Sequence, residues 1–379
     1  MKIRDSARYC KLHFQVLRKY LLPLFQNKDW EGALKTEASQ ETCQSNTDRY
    51  VLGGKNMILR FFIRTFMKKK AWVALLACYV SCLAAMASNK VFEPSDFFKN
   101  LKQGDKAAIL LVHFGTTHDD TRALTIDAIN KKVGEYFPGV EVREAYTSRI
   151  IIKRLSDRGI EKLNPQKSLQ KLHSEGYTHI LVQPTTIING LEMNSLTENV
   201  EAMSDQFQEI RVTTPLLFYT DDYGRVIDIL TKENNRSDTA YLWVGHGSYD
   251  VSTAQYAMLD YMLKEKGFAN HIVGCIEGYP FYEQALKQLK ASGLKHVKLI
   301  PFMFVAGEHA KNDIAGDWKE QLEAEGFEVE VLMQGLGEIP AIQDRYVEIL
   351  DFYSKNRRVD IMEKKTVYEV TGEKMKTGE

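Results

Sequence analysis

Two histidines and one glutamate come directly after three successive strand-like segments in the second half of the sequence. They are His246, which lies between two glycines, Glu277 and His309. Because parallel strands present their carboxyl ends at one edge of a sheet, where open α/β sheets bind ligands, we expect these three side chains to converge. Two imidazoles and a carboxylate suit a divalent first-row metal with an open coordination position. The sequence therefore predicts a metal site made of these three residues.

Each of the three residues also has a purely structural interpretation. Taken singly, His246 suits a structural histidine in a strand-to-helix turn, Glu277 suits a neighbour of a helix N-cap, and His309 suits a surface ion pair with Glu308. All three, however, follow buried-strand patterns that recur along one half of the chain. That shared placement favours the functional interpretation.

A carboxylate from the first half of the sequence, Glu192, is predicted to face these histidines. It ends a loop, residues 187–192, that follows a buried strand. A carboxylate opposite two imidazoles is placed to accept or relay protons, and a solvated loop glutamate is the alternative. His113 and His118 flank a turn in the same half. We interpret His113 as a strand residue with a hydrogen-bonded ring, and only as a weak candidate ligand.

The elements that must position these residues alternate regularly between strand and helix. Such alternation predicts an α/β fold of parallel sheets with helices on both faces. The predicted strands are residues 107–117, 140–145, 179–184, 210–218, 241–244, 271–276, 297–301 and 328–333. The predicted helices are residues 120–135, 168–175, 197–206, 254–266, 282–292 and 313–326. His271 and His296 open strands and are interpreted as structural.

The two halves of this pattern can be laid over each other, which indicates a duplication. The overlay places Phe114 opposite His246, and it places Glu192 opposite His309 with identical spacing from a preceding proline. We therefore predict two duplicated α/β domains, residues 105–235 and 236–355, with a cleft between them and the metal site in the second. Residues 356–379 form a charged tail, predicted to be frayed helix or disordered.

Residues 67–87 have the features of a secretory signal peptide. A basic start after Met67 precedes an apolar stretch, and small residues at 85 and 87 supply a cleavage site. We expect Met67 to be the true start, residues 1–66 not to belong to the mature protein, and the mature chain to begin near Ser88 in the periplasm. A single membrane anchor and a lipoprotein attached at Cys78 are the alternatives, and both also export the remainder.

Composition argues against several functional classes. Residues 88–379 hold 35 Lys and Arg against 44 Asp and Glu, with no basic stripe for a nucleic acid backbone. The sequence also lacks the glycine-rich nucleotide-binding motifs, the helical H-E-x-x-H zinc motif and the G-x-S-x-G serine motif. We therefore expect no nucleotide cofactor, no serine nucleophile and no nucleic acid partner.

Taken together, the motifs resemble the class II chelatases, and specifically the anaerobic cobalt chelatase (CbiK) family, from about residue 107 to 350. The segments that carry the resemblance are residues 111–117, 183–192, 245–248, 277–280 and 306–313. The resemblance implies duplicated α/β domains around a tetrapyrrole cleft and insertion of Co²⁺ into sirohydrochlorin without ATP. It further implies that His246 and His309 bind metal and accept protons, that Glu277 is a third ligand, and that Glu192 assists metal delivery or deprotonation.

The sequence departs from that family pattern beside Glu192. Leu191 and Met193 stand where relatives are expected to carry an acidic and an aromatic residue, and Thr186 stands where a histidine is common. These changes favour a more hydrophobic porphyrin. They leave open a second hypothesis, an exported protein that binds or transports haem or removes its iron. Fe²⁺ in place of Co²⁺ and a homo-oligomer are also left open, and membrane contact is expected only through the export signal or a lipid anchor.

Overall fold

The computed structural model describes residues 91–374 of the 379-residue chain. The predicted signal peptide and the residues before it therefore lie outside the described part of the protein. Within residues 91–374, no helix combines the length and apolar character needed to cross a membrane.

Two four-stranded parallel sheets form the framework of the described chain. In chain order the strands are β1 (Phe92–Pro94), β2 (Ala107–His113), β3 (Glu141–Tyr146), β4 (His179–Pro184), β5 (Glu209–Val212), β6 (Thr239–Gly247), β7 (His271–Glu277), β8 (His296–Pro301), β9 (Glu328–Val331) and β10 (Asn356–Arg358). The first sheet has the order β3-β2-β4-β5, and the second has the matching order β7-β6-β8-β9. Strands β1 and β10 pair separately as an antiparallel ribbon.

Helices lie between most successive strands, and one helix follows the last strand. They are α1 (Asp119–Arg122), α2 (Ala128–Tyr136), α3 (Arg149–Asp157), α4 (Pro165–Ser174), α5 (Leu191–Glu201), α6 (Thr220–Glu233), α7 (Ala254–Glu265), α8 (Tyr282–Ser292), α9 (Lys319–Ala324), α10 (Pro340–Lys355) and α11 (Ile361–Thr371). The π-helical segments Ala123–Asp127 and Ala310–Trp318 lead into α2 and α9. The predicted α/β fold of two parallel-sheet repeats is confirmed.

The strand registers show that the two halves are equivalent at their functional ends. Val112 pairs with Pro184 in the first sheet, and Val244 pairs with Pro301 in the second. Two residues beyond each valine lie Phe114 and His246, so the overlay predicted from the sequence is confirmed at this position. Counting eight residues on from each proline gives Glu192 and His309, which are equivalent in the same way.

Both faces of each central strand are covered, which explains the unbroken apolar runs in the sequence. In β6, Tyr241 and Trp243 face a core shared by the two sheets, while Leu242 and Val244 face a separate core beneath the outer helices. Strand β2 alternates in the same manner, with Ile109 and Leu111 in the shared core. The two repeats are therefore held together by apolar packing as well as by the chain.

One helix from each half of the sequence packs against the other half, across the predicted boundary between residues 235 and 236. Helix α10, from the second half of the sequence, packs on β4 of the first sheet, and the hydroxyl of its buried Tyr346 donates to the carbonyl oxygens of Thr185 and Thr186 at 3.0 and 3.1 Å. Helix α6, from the first half, packs on α7 of the second, where Asp228 and Lys266 form an ion pair at 2.8 Å. Each repeat therefore covers part of the other repeat. The exact domain limits stay a prediction.

The structure moves Glu192 from a loop into a helix. Helix α5 begins at Leu191, six residues before the predicted start, with Gly190 as its N-cap. Glu192 therefore lies in the first turn of α5, where the positive end of the helix dipole favours an acidic side chain. The sequence pattern missed this start because the glycine at the cap and the asparagine before it read as a loop.

The structure also changes the predicted ends of two segments. Strand β5 stops at Val212, whereas the sequence predicted a strand to residue 218. The tail beyond residue 355 is not entirely frayed, because β10 pairs with β1 through Phe92 and Arg358. Arg357 anchors the tail further through hydrogen bonds to Glu93 and Glu363. Helix α11 follows and has no buried residues, as expected of a charged terminal segment.

Candidate active site

The turn that carries His246 has no room for side chains at its two glycines. A Cβ on Gly245 would lie 2.3 Å from the Tyr256 ring, and a Cβ on Gly247 would lie 1.4 Å from the carbonyl oxygen of Glu277. Gly247 also has a φ of +88°, a conformation that favours glycine. The half-buried imidazole of His246 is therefore held at the carboxyl end of β6 by backbone that packs directly against its neighbours.

His246 and His309 lie side by side, as the sequence predicts. Their ring centroids are 4.8 Å apart, and the ring planes are nearly perpendicular at 86°. His309 sits at the N-terminus of the π-helical segment that follows β8, and its side chain is 48% exposed. The carboxyl ends of β6 and β8 are adjacent in the sheet, so the fold brings together two imidazoles that are far apart in sequence.

The Nδ1 atom of each imidazole is engaged with an oxygen acceptor. His309 Nδ1 lies 2.7 Å from Asp313 Oδ2, and His246 Nδ1 lies 3.3 Å from the carbonyl oxygen of Gly247. Because neither acceptor carries a proton, each Nδ1 is the donor. In the neutral imidazole the Nε2 atom then keeps its lone pair. Neither Nε2 has a hydrogen-bond partner among residues 91–374, so both are free to bind a metal or to take a proton.

Glu277 lines the same cleft but does not complete a preformed metal site. It ends β7, directly opposite Gly247 in the strand register, and it is exposed. In the described part of the chain, no three His, Cys, Asp or Glu side chains are arranged to hold a metal ion. The structure thus brings His246 and His309 together, and the role of Glu277 as a third ligand stays a prediction.

A cleft of about 700 Å³ lies between the two repeats, and both contribute to its walls. His246, Glu277 and His309 line it from the second repeat, and Glu192 lines it from the first. Glu192 is half-buried, at the start of α5. The two histidines of the second repeat and Glu192 of the first therefore share one cavity, as predicted.

Large apolar side chains are exposed around this cleft. Their exposed fractions are 49% for Phe114, 67% for Ile150, 41% for Leu191 and 83% for Tyr249, and all four line the cavity. Exposed aromatic and aliphatic surface in a concave site is typical of binding sites for small organic ligands. Phe114 occupies the position equivalent to His246, so the first repeat offers an aromatic face where the second offers an imidazole.

A contact between His118 of the first repeat and Glu308 of the second crosses the cleft, and it was not predicted. His118 Nε2 lies 3.0 Å from Glu308 Oε1, and Lys311 Nζ lies 3.3 Å from His118 Nδ1. Hydrogen bonds from Asn312 and His118, together with the nearby charge of Arg154, lower the pKa of Glu308. The structural alternative for His309 was an ion pair with Glu308, but the structure pairs Glu308 with His118 of the first repeat. Only the fold could bring residues so distant in sequence into contact.

Three other histidines have structural roles, as the sequence indicated. His113 is fully buried between Thr185 and Asn130, each 3.0 Å from one ring nitrogen, and burial lowers its pKa to about 4. His271 accepts from Trp243, and burial lowers its pKa to about 4 as well. His296 is exposed beside Glu328. None of the three lines the cleft.

Asp313 is a residue of this site whose role the sequence reasoning missed. It lies four residues after His309, so one helical turn brings its carboxylate to the imidazole. A carboxylate that accepts from the far nitrogen of a histidine fixes the tautomer and raises the basicity of the metal-binding nitrogen. The i, i+4 spacing of a histidine and an aspartate was the available signal.

The chain has a duplicated α/β fold whose cleft carries two imidazoles on one wall and a carboxylate on the other. This arrangement suits a class of proteins that couple metal transfer to proton transfer. Residues 107–353 match the model of the cobalt chelatase (CbiK) family. The chain is 34% identical over 249 residues to the sirohydrochlorin cobaltochelatase of Salmonella typhimurium, across 64% of this chain and 94% of that protein. It is 33% identical over 254 residues to sirohydrochlorin cobaltochelatase CbiKC of Nitratidesulfovibrio vulgaris, across 65% of this chain and 89% of that protein.

Among solved structures, SirB of Bacillus subtilis with Fe³⁺ aligns with a TM-score of 0.49 and 14% identity, over 66% of this chain and 96% of that chain. The family model matches residues 107–353, which is more than half of the 379-residue chain. The chain therefore belongs to the CbiK cobalt chelatase family, and the family predicted from the motifs is confirmed.

We expect His246→Ala and His309→Ala each to lower the rate of metal insertion by at least about 100-fold, because each removes a nitrogen that can bind the metal and take a proton. Both side chains lie at the cleft surface, so circular dichroism should show an intact fold. His296→Ala is the matched control, since its imidazole is exposed and distant from the cleft. Wild-type insertion rates in both cleft variants would remove these residues from the mechanism.

We expect Asp313→Asn to weaken Co²⁺ binding by roughly 10- to 100-fold while leaving stability nearly unchanged, because a neutral amide polarises His309 less than a carboxylate does. Titration of the visible absorption of Co²⁺ measures this affinity. Asp317→Asn, on the same π-helical segment and exposed, is the control for loss of one negative charge. Equal affinities in the two variants would show that Asp313 does not act through the imidazole.

Proposed function

We propose that this protein is an enzyme that inserts Co²⁺ into sirohydrochlorin without a nucleotide cofactor. The observation that carries the proposal is the pair of imidazoles, His246 and His309, whose Nε2 atoms are free in a cleft that Glu192 lines from the opposite repeat. Membership of the cobalt chelatase family and the names of two relatives, both sirohydrochlorin cobaltochelatases, support the metal and the macrocycle.

The reaction must move two protons out and one metal ion in. Two pyrrole N–H bonds break, Co²⁺ forms bonds to the macrocycle nitrogens, and two protons leave. In the proposed mechanism the Nε2 atoms of His246 and His309 hold the incoming Co²⁺ on one face of the macrocycle and take protons as the metal is released. Glu192 takes or relays a proton from the other wall. Glu277 is the proposed third ligand during delivery.

The walls of the cleft suit a flat polycarboxylate. Phe114 and Tyr249 offer aromatic faces, and Ile150 adds apolar area from α3. Arg154, one turn further along α3, lines the cleft with a guanidinium that makes no hydrogen bond or ion pair within residues 91–374. A free guanidinium is well suited to bind a peripheral carboxylate of the macrocycle. Holding the ring between the repeats would orient its nitrogens towards the histidines.

Insertion is tested by mixing the protein with sirohydrochlorin and Co²⁺ in the absence of nucleotide and following the visible spectrum. We expect the cobalt product to form catalytically, and a variant carrying both His246→Ala and His309→Ala to give only the uncatalysed rate. Fe²⁺, Ni²⁺ and Zn²⁺ in parallel reactions establish metal preference. No turnover with any metal, together with tight haem binding, would overturn the proposal in favour of the haem-binding alternative.

We further propose that the enzyme works in the periplasm after removal of residues 67–87. The basic start, apolar stretch and small residues at the cleavage site support this location. N-terminal sequencing of the protein purified from its native host should give Ser88 as the first residue. A chain that keeps Met67 or starts earlier would contradict cleavage, and a lipid on Cys78 would indicate the lipoprotein form.

A further inference from the structure

The segment that leads to Glu192 is tied to the opposite repeat through one side chain, that of Gln255. Gln255 lies in the first turn of α7. Its Nε2 donates to the carbonyl oxygen of Asn189 at 3.0 Å, and its Oε1 accepts from the backbone nitrogen of Asn189 at 3.0 Å. One amide side chain thus satisfies both backbone groups of a residue three positions before Glu192, much as a neighbouring strand would.

The next residue, Gly190, packs directly on the same part of the second repeat. A Cβ at Gly190 would lie 2.8 Å from Ser252 Oγ. Ser252 is buried, and its carbonyl oxygen lies 3.3 Å from Gln255 Nε2. The N-cap of α5 is therefore fitted against Ser252, and the start of the helix that carries Glu192 has little freedom to shift relative to α7.

The same contacts continue towards His246. Asp250 Oδ1 accepts from Ser248 Oγ at 2.7 Å and from the backbone nitrogen of Ser252 at 3.1 Å. Ser248 is two residues after His246 in the turn that follows β6. A continuous hydrogen-bonded path therefore runs from the turn after His246, through Asp250, Ser252 and Gln255, to the residues before Glu192.

We propose that Gln255 is a positioning residue that sets the separation of Glu192 from the two cleft histidines. Neither Gln255 nor Asn189 lines the cleft, so Gln255 acts through the backbone of the Glu192 segment and does not touch the substrate. The inference rests on the proposed function. Displacing a catalytic group by about 1 Å can lower the rate about 10²-fold, so the two hydrogen bonds from Gln255 to the Asn189 backbone can affect the reaction rate.

The test replaces Gln255 by methionine, which keeps the length of the side chain but makes neither hydrogen bond. We expect Gln255→Met to lower kcat for Co²⁺ insertion roughly 10-fold, with Co²⁺ affinity and thermal stability close to wild type. Gln321→Met is the matched control, because Gln321 is exposed on α9, and this variant should behave as wild type. In a Glu192→Gln background, Gln255→Met should cause no further loss, because both changes act on one step.

A second measurement needs no activity. Hydrogen exchange of the backbone amides of residues 187–193 should be faster in Gln255→Met than in wild type or Gln321→Met, because the Asn189 amide loses its acceptor. Unchanged exchange, an unchanged kcat, or fully additive losses with Glu192→Gln would each overturn the role of Gln255. If wild-type protein showed no insertion, the proposed function would fail by itself, and the exchange data would still decide whether Gln255 holds this segment.

Discussion

The arrangement of the site depends on how closely the backbone approaches itself at the carboxyl ends of β6 and β7. The carbonyl oxygen of Glu277 occupies the place where a side chain on Gly247 would be, and the ring of Tyr256 fills the place beside Gly245. This contact fixes the direction in which His246 leaves the sheet. Because β8 lies on the other side of β6, the same edge also places His309 beside it, and the two imidazoles meet without any direct link in sequence.

Duplication gives the cleft two walls whose equivalent positions carry different chemistry. The strand registers make Phe114 equivalent to His246 and Glu192 equivalent to His309. One repeat thus offers an aromatic face and a carboxylate, and the other offers two imidazoles. A planar ligand between the walls would therefore face the imidazoles on one side and the aromatic ring and the carboxylate on the other, which a single repeat could not provide.

In the proposed function the metal ion is a substrate, which the protein must release again. A closed set of four ligands suits a metal that stays in place, as in structural zinc sites. In the described part of this chain, two adjacent imidazoles are present without a converged third ligand. Since tight binding of a ground state does not accelerate a reaction, an enzyme that must hand its metal to another ligand gains nothing from holding it more firmly. The hydrogen bond from His309 Nδ1 to Asp313 would orient the imidazole without adding a ligand to the metal.

The sequence by itself determined the α/β class, the strand order along the chain, the duplication, and the cleft residues His246, Glu277, His309 and Glu192. Apolar runs, glycine turns and repeated spacings involve residues that are close in sequence, so they can be recognised without knowledge of the fold. Helices α3, α6 and α10 were not predicted from the sequence, and the three consecutive isoleucines of α3 are β-branched residues that favour strand over helix.

Only the tertiary structure decided which residues support the site. The pairing of Gln255 with Asn189, the bridge from His118 to Glu308, and the packing of α10 on the first sheet all join residues far apart in sequence. Side chains such as glutamine and histidine have many suitable partners on a protein surface. Which partner each one meets depends on how the two repeats pack, and no local pattern in the sequence carries that information.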